Sequence, residues 1–249
     1  MIRCDAHMHT RFSEDSDASV HSMLDAAIER GMEAVCITDH LDKDFPQTPD
    51  FPAGAFLFDL GNYFQRLTQL KEEYQKKLEV RIGVEIGLQP HLGEYYRNLT
   101  EKYPFDFVIG SVHLIHGQDP YYRTFFEGRS DEEAYQEAFQ VTIENLKKVN
   151  SFDSLGHLDY VVRYGTHQAE EYSYKKYAEE IDEILKILIA QGKGLEMNMV
   201  FLRLFSLKEE SLGREYSPQA INDCKSNLIN SAKQYTYDYL AAVKIMLGK

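Results

Sequence analysis

Two histidines one residue apart, His7 and His9 in Asp5-Ala6-His7-Met8-His9-Thr10, are the first residues whose types and spacing suit chemistry. Side chains alternate between faces along a β-strand, so Asp5, His7 and His9 should project from one face at one strand end. Paired imidazoles are poor core material and good metal ligands. Taken alone, the pair fits two ordinary surface histidines equally well. The two readings separate only if other ligand types gather at the same level of the chain.

Other ligand types do gather there. His40 follows the apolar run 33–38 (EAVCIT), and Glu85 ends the run 80–86 (VRIGVEI). His113 follows 106–112 (DFVIGSV), and His157 follows a short strand region at 154–156. Each candidate ligand thus sits at or just past a strand C-terminus, the rim on which β/α barrels build active sites. Asp15, in the loop leaving the first strand, joins the set. Its competing role is a helix N-cap or first-turn carboxylate, which Asp17 and Ser19 fit better. Asp39, just before His40, reads as a carboxylate that orients an imidazole. Mixed imidazole and carboxylate ligands suit Zn²⁺, Mn²⁺ or Fe²⁺, and no cysteine cluster offers a structural zinc site. His21, His91 and His167 fall on helix or loop positions and read as exposed. His116, three residues beyond His113, is a candidate substrate contact.

The elements that must position these groups alternate along the chain. Residues 2–8 form the expected first strand and 18–30 a helix ending at Gly31. A proline-bearing loop covers 42–58, and an amphipathic helix carries Leu60, Tyr63, Phe64, Leu67, Leu70, Tyr74 and Leu78. Further helices are expected at 91–102, from the capping box Ser130–Glu133 to about 149, and at 172–191, with a strand at 193–199. Residues 217–247 are mostly helical in pattern. Strand–helix alternation of this kind favours a parallel sheet in an α/β fold. No internal repeat or linker divides the chain, so a single domain is expected over 1–249, with an atypical helical end at about 217–249.

The bulk properties narrow the partners. The formal charge of −13 argues against a nucleic-acid or anionic-membrane binder, which needs a basic face. No apolar run approaches the roughly 18 residues of a membrane span. The three cysteines (Cys4, Cys36 and Cys224) form no C-x-x-C pair, and no signal peptide is apparent; a reduced, cytoplasmic protein is expected.

Five ordered motifs carry a resemblance. They are Asp5-x-His7-x-His9-Thr10-x-Phe12-Ser13-x-Asp15, Thr38-Asp39-His40, Gly83-Val84-Glu85, Gly110-Ser111-Val112-His113 and Gly156-His157-x-Asp159. Over roughly residues 1–200 the sequence resembles the PHP (polymerase and histidinol phosphatase) family, most closely its histidinol-phosphate phosphatase branch. The resemblance implies a distorted (β/α)7, TIM-like barrel with two to three divalent metal ions (Zn, Mn or Fe). It implies that His7, His9 and Glu85 hold one ion, that Glu85 bridges to a second held by His113 and His157, and that Asp15 and His40 hold a third. It also assigns Arg163 to the substrate phosphate, which a planar guanidinium can grip with two donors.

One family feature is missing. Members end the metal set with an Asp-x-His on the last strand, and here no histidine follows His167. The expectation is an incomplete first site with reduced metal affinity. Substitution by Asp223, Asp238 or Glu196, or loss of catalysis, are the alternatives. The helix at 231–247 presents Ala232, Tyr235, Tyr239, Ala242, Val243 and Met246 on one face, suited to packing into the gap or against another subunit.

The activity implied is metal-dependent hydrolysis of a small phosphate monoester, L-histidinol phosphate, in histidine biosynthesis, by a monomer or homodimer. Glu85, Asp39 and Arg163 are the expected catalytic group, with Arg163 and His116 as substrate contacts. The rivals are another PHP phosphoesterase, a protein-tyrosine phosphatase or a non-catalytic metal-binding protein. A metal-dependent amidohydrolase is a further rival, but it usually wants a carboxylated lysine where this chain has Glu85.

Overall fold

A computed structural model describes residues 4–167 and 172–196. The expected helical end at 217–249, with Asp223, Cys224 and Asp238, lies outside them.

Among the described residues, seven strands alternate with helices. They are β1 (Cys4–Met8), β2 (Ala34–Ile37), β3 (His40–Leu41), β4 (Glu79–Gly87), β5 (Phe107–Ser111), β6 (Ser154–Leu155) and β7 (Gly194–Leu195). The helices are α1 (Val20–Glu29), α2 (Leu60–Tyr74), α3 (Gly93–Lys102), α4 (Asp131–Lys148) and α5 (Ala178–Gln191). All pairings between these strands are parallel, in the order β1-β2-β4-β5-β6-β7. β3 pairs with β4 on the same side as β2, with His40 beside Glu85. The expected strand 33–38 therefore continues past a break at Thr38-Asp39, and seven strands occupy six positions.

The sheet curls. β1 and β7 are not paired, yet His7 at the end of β1 and Glu196 just after β7 lie 2.6 Å apart. A flat sheet in this order would hold its outer strands far apart, since neighbouring strands are about 4.8 Å from one another.

The helices form where the apolar spacing predicts. Ser19 caps α1 by accepting from the Ser22 N–H at 3.0 Å, and Val20, Leu24 and Ala27 face inward. Gly31, at φ +70°, ends the helix in the left-handed region. Tyr63, Leu67, Leu70 and Tyr74 form the buried stripe of α2 and pack on Val35, Ile37, Val80 and Ile82 of the sheet. The capping box of α4 is formed as expected, with Ser130 Oγ accepting from Glu133 N–H while the Glu133 carboxylate accepts from Ser130 N–H. The expected helix 172–191 is a single turn at Tyr174–Tyr177 followed by α5.

Two buried tyrosines anchor helices to strand ends. Tyr63 Oη donates to the Ile37 and Gly83 carbonyls, and Tyr96 Oη donates to those of Leu41 and Gly87. Buried carbonyls need a donor, and both pairs flank the break between β2 and β3. The loop 42–58 packs Phe45 and Phe56 with Leu114, and Phe56 lies edge-on to the His40 ring. Among the described residues no helix is long and apolar enough to cross a membrane.

Candidate metal centre

Glu85 is the centre of the rim. It sits on β4 between β3 and β5 and is fully buried. Its two oxygens divide the surrounding imidazoles. Oε2 lies 3.0 Å from His7 Nε2, 3.0 Å from His9 Nε2 and 3.1 Å from His40 Nδ1. Oε1 lies 3.2 Å from His113 Nε2 and 3.0 Å from His157 Nε2. Four overlapping groups have the reach of a metal site: His7–His9–Glu85, His9–Asp15–His40, His40–Asp42–His113 and Glu85–His113–His157. His7, His9, Asp15, His40, Glu85, His113 and His157, singled out in the sequence, are thus brought together.

Three carboxylates hold imidazoles by the nitrogen turned away from Glu85. Glu196 lies 2.6 Å from His7 Nδ1, Asp15 lies 2.8 Å from His9 Nδ1 and Asp42 lies 2.7 Å from His113 Nδ1. Such partners fix the tautomer and orientation of a ligating imidazole. The sequence reading missed Asp42, taking it as the start of a loop. It is two residues beyond His40, and that alternation along one strand could have revealed it. Gly87 makes room for it: a Cβ there would stand 2.7 Å from Asp42 Cγ.

Several expectations need correction. Asp39 does not orient an imidazole. Its carboxylate accepts from the Thr10 N–H, from Thr10 Oγ1 at 3.0 Å and from Ser13 Oγ at 3.1 Å. Ser13 Oγ in turn accepts from the His40 N–H at 2.7 Å, so Asp39 sets the His40 backbone through the loop after β1. Asp5 does not join the histidines. Its side chain folds back to accept from the His7 N–H at 3.1 Å, where the β1 register shifts between Asp5 and Met8. His116 stands apart, exposed, with φ +49° and its Nε2 3.5 Å from Glu137 on α4. Glu196, considered as a replacement ligand, falls in none of the four groups.

The electrostatics follow from crowding. Burial alone disfavours Glu85 as an anion, but the charges of His40, His7 and His113 outweigh it and hold the carboxyl well below its usual range. Burial also works against a charged His7, yet Glu85 and Glu196 raise it to about 9; Asp15 and Glu85 raise His9 to about 10. His113 is raised by Asp42 and Glu85 against burial, whereas burial drags His40 down to about 4 and lowers His157. The donor set fits divalent cations. His7 Nε2 and His9 Nε2 face each other at 3.1 Å. His40 Nδ1, fully enclosed, meets no hydrogen-bond partner in proper geometry. Five imidazoles converging on one carboxylate need positive charge between them, from protons or from metal.

Arg163 lies beside this cluster on the turn Tyr160–Tyr164, its guanidinium 5.6 Å from the centre of the Tyr160 ring. Its charge is felt at His157. Tyr160 in turn packs on His157 and His113, with centroids 5.3 and 5.5 Å away.

Residues 5–199 match the PHP domain family. The histidinol-phosphatase of Lactococcus lactis subsp. lactis is 34% identical over 199 residues, covering 80% of this chain and 72% of the relative. The "Probable histidinol-phosphatase" of Clostridium acetobutylicum is 32% identical over 194 residues, covering 78% and 72%. The crystal structure of the L. lactis histidinol phosphate phosphatase, complexed with zinc, L-histidinol and phosphate, superposes with a TM-score of 0.73 at 33% identity, over 79% of this chain and 73% of that one.

Proposed function

The chain belongs to the PHP domain family, and on that footing we propose that it is a metal-dependent phosphate-monoester hydrolase that converts L-histidinol phosphate to L-histidinol and phosphate. The observation that carries this reading is the division of Glu85 between two sets of imidazoles, one at each carboxylate oxygen.

Two to three divalent ions would be held there, with His7, His9 and Glu85 on one, Glu85, His113 and His157 on a second, and Asp15 and His40 on a third. Zinc is the first candidate, by analogy with the L. lactis enzyme. Bound ions supply Lewis-acid charge and a water acidic enough to attack at neutral pH.

The chain's own residues do the rest. Glu85 stays ionised and presents one oxygen to each half of the site. Asp42, Asp15 and Glu196 hold the imidazoles of His113, His9 and His7 in place. Arg163 is assigned to the phosphoryl oxygens, where a guanidinium offers two parallel donors. Asp39, expected to be catalytic, is instead a positioning residue.

Phosphate release decides the matter, from L-histidinol phosphate, a phosphotyrosine peptide and glycerol phosphate, on protein loaded with zinc or manganese. Preference for L-histidinol phosphate by an order of magnitude or more in kcat/KM is the expected result. Equal rates on all three would make the chain a general phosphoesterase. Metal bound without turnover of any monoester would make it a binding protein.

A further inference from the structure

Apart from the metal centre, a surface hollow reverses the charge of the chain. It opens between the first turns of α1 and α2 and the loop that leaves β1, with a volume of about 620 Å³. Arg11, His21, Asn62 and Arg66 supply its polar lining with the Ser19 cap, and Phe12 and Val20 its apolar lining. No carboxylate lines it, although the chain carries 40 acidic residues against 27 Lys and Arg.

Both arginines are open to a ligand. Arg81 and Arg129 are paired with Glu79 and Glu137, but Arg11 and Arg66 have no carboxylate partner among the described residues. Arg66 Nη1 donates to the neutral Gln69 Oε1 at 3.4 Å. The acids close by in sequence are engaged elsewhere. Asp25 accepts from Tyr74 Oη at 2.9 Å, and Asp59 accepts from the Gly61 and Asn62 N–H groups and so closes the N-terminus of α2. α1 is closed less fully. Ser19 accepts from the Ser22 N–H, no acidic residue occupies the first turn, and the Val20 and His21 N–H groups have no acceptor among the described residues. Two guanidinium groups and the positive end of a ten-residue helix thus share one hollow, an arrangement that suits a phosphate group.

The size says more about the ligand. A free phosphate ion fills a small part of this volume, which falls in the range of sites for small organic molecules. Phe12, half-buried and fixed edge-on to Tyr63 at 5.0 Å between centroids, offers an apolar surface to the remainder. The loop over 10–18 joins the hollow to the metal centre. Arg11 N–H donates to the Ala18 carbonyl at 2.8 Å, and the same loop carries Ser13, which accepts from the His40 N–H, and Asp15, which holds His9. We propose that the hollow is an effector site for a phosphorylated small molecule that carries an aromatic ring. Its phosphate lies on Arg11, Arg66 and the N-terminus of α1 and its ring on Phe12, and occupancy braces the loop that carries Asp15.

Phenylphosphonate is the probe, because its P–C bond resists phosphomonoester hydrolysis. Calorimetric titration of the metal-loaded chain should show two sites, one at the metal centre and one at the hollow. Arg163→Ala should weaken the first and leave the second. Arg11→Gln combined with Arg66→Gln should weaken the second by about 10- to 100-fold and leave kcat/KM without the probe unchanged. Arg66→Gln alone should give a smaller loss at the same site, which keeps the test decisive if the double variant does not fold. Inorganic phosphate should bind the hollow about tenfold more weakly than phenylphosphonate. Saturating probe should slow release of metal to a chelator more in the wild type than in the double variant. Two sites of wild-type affinity in the variants, equal affinity of the hollow for the two anions, or equal slowing of metal release each overturns the proposal. None of these outcomes depends on which monoester the metal centre hydrolyses.

Discussion

Two fully buried carboxylates lie side by side in this fold, Glu85 on β4 and Asp39 at the break between β2 and β3. They are joined by a backbone hydrogen bond from Glu85 N–H to the Asp39 carbonyl at 3.0 Å. Burial presses both toward neutrality, and the outcomes are opposite. Glu85 faces imidazoles and is held well below its ordinary range. Asp39 faces hydroxyls and an amide from Thr10 and Ser13, and burial leaves it raised to about 6. Ionisable partners keep a buried carboxylate charged, whereas neutral donors leave it a structural knot.

Substitutions that remove each charge should separate the two roles. Glu85→Gln should cause the largest loss, abolishing turnover and stripping metal from the chain, as elemental analysis would register; metal content equal to wild type would refute its place at the centre. Asp42→Asn keeps the shape but weakens the hold on His113 Nδ1. It should cost about 10- to 100-fold in metal affinity or activity, read by metal titration. Asp39→Asn should act on stability instead, lowering the free energy of unfolding by about 1–3 kcal/mol in denaturant melts while metal per chain stays the same. A metal loss as large as that of Asp42→Asn would erase the distinction drawn here. Ser130→Ala, at the α4 cap and remote from both carboxylates, should lower stability by about 1 kcal/mol with kcat/KM untouched.

Much of this site was legible in the sequence because strand ends in a parallel α/β fold collect at one rim. Imidazoles placed after apolar runs converge without further information, as His40, His113 and His157 do. The helix caps at Ser19 and Ser130 and the stripe of α2 were legible too, since they depend on local spacing. What escaped depended on breaks in regularity. The Thr38-Asp39 interruption turned Asp39 toward Thr10 and Ser13 and left Asp42 just past a two-residue strand, marked only by its spacing from His40. The β1 register shift accompanied the turning-back of Asp5. Glu196 was named only as a possible substitute ligand; its hold on His7 lay beyond reach because that contact spans 189 residues of sequence.

That last contact has a consequence for how the centre comes into being. One of the first histidines in the chain is oriented by a carboxylate that is made almost two hundred residues later. Until β7 docks, His7 has no carboxylate to fix its tautomer, and Glu85, His113 and His157 have no closed ring to join. Closing so long a loop is slow relative to local helix formation. A metal held by the complete set would therefore be captured in the last stage of folding, and its binding would also hold the two ends of the sheet together.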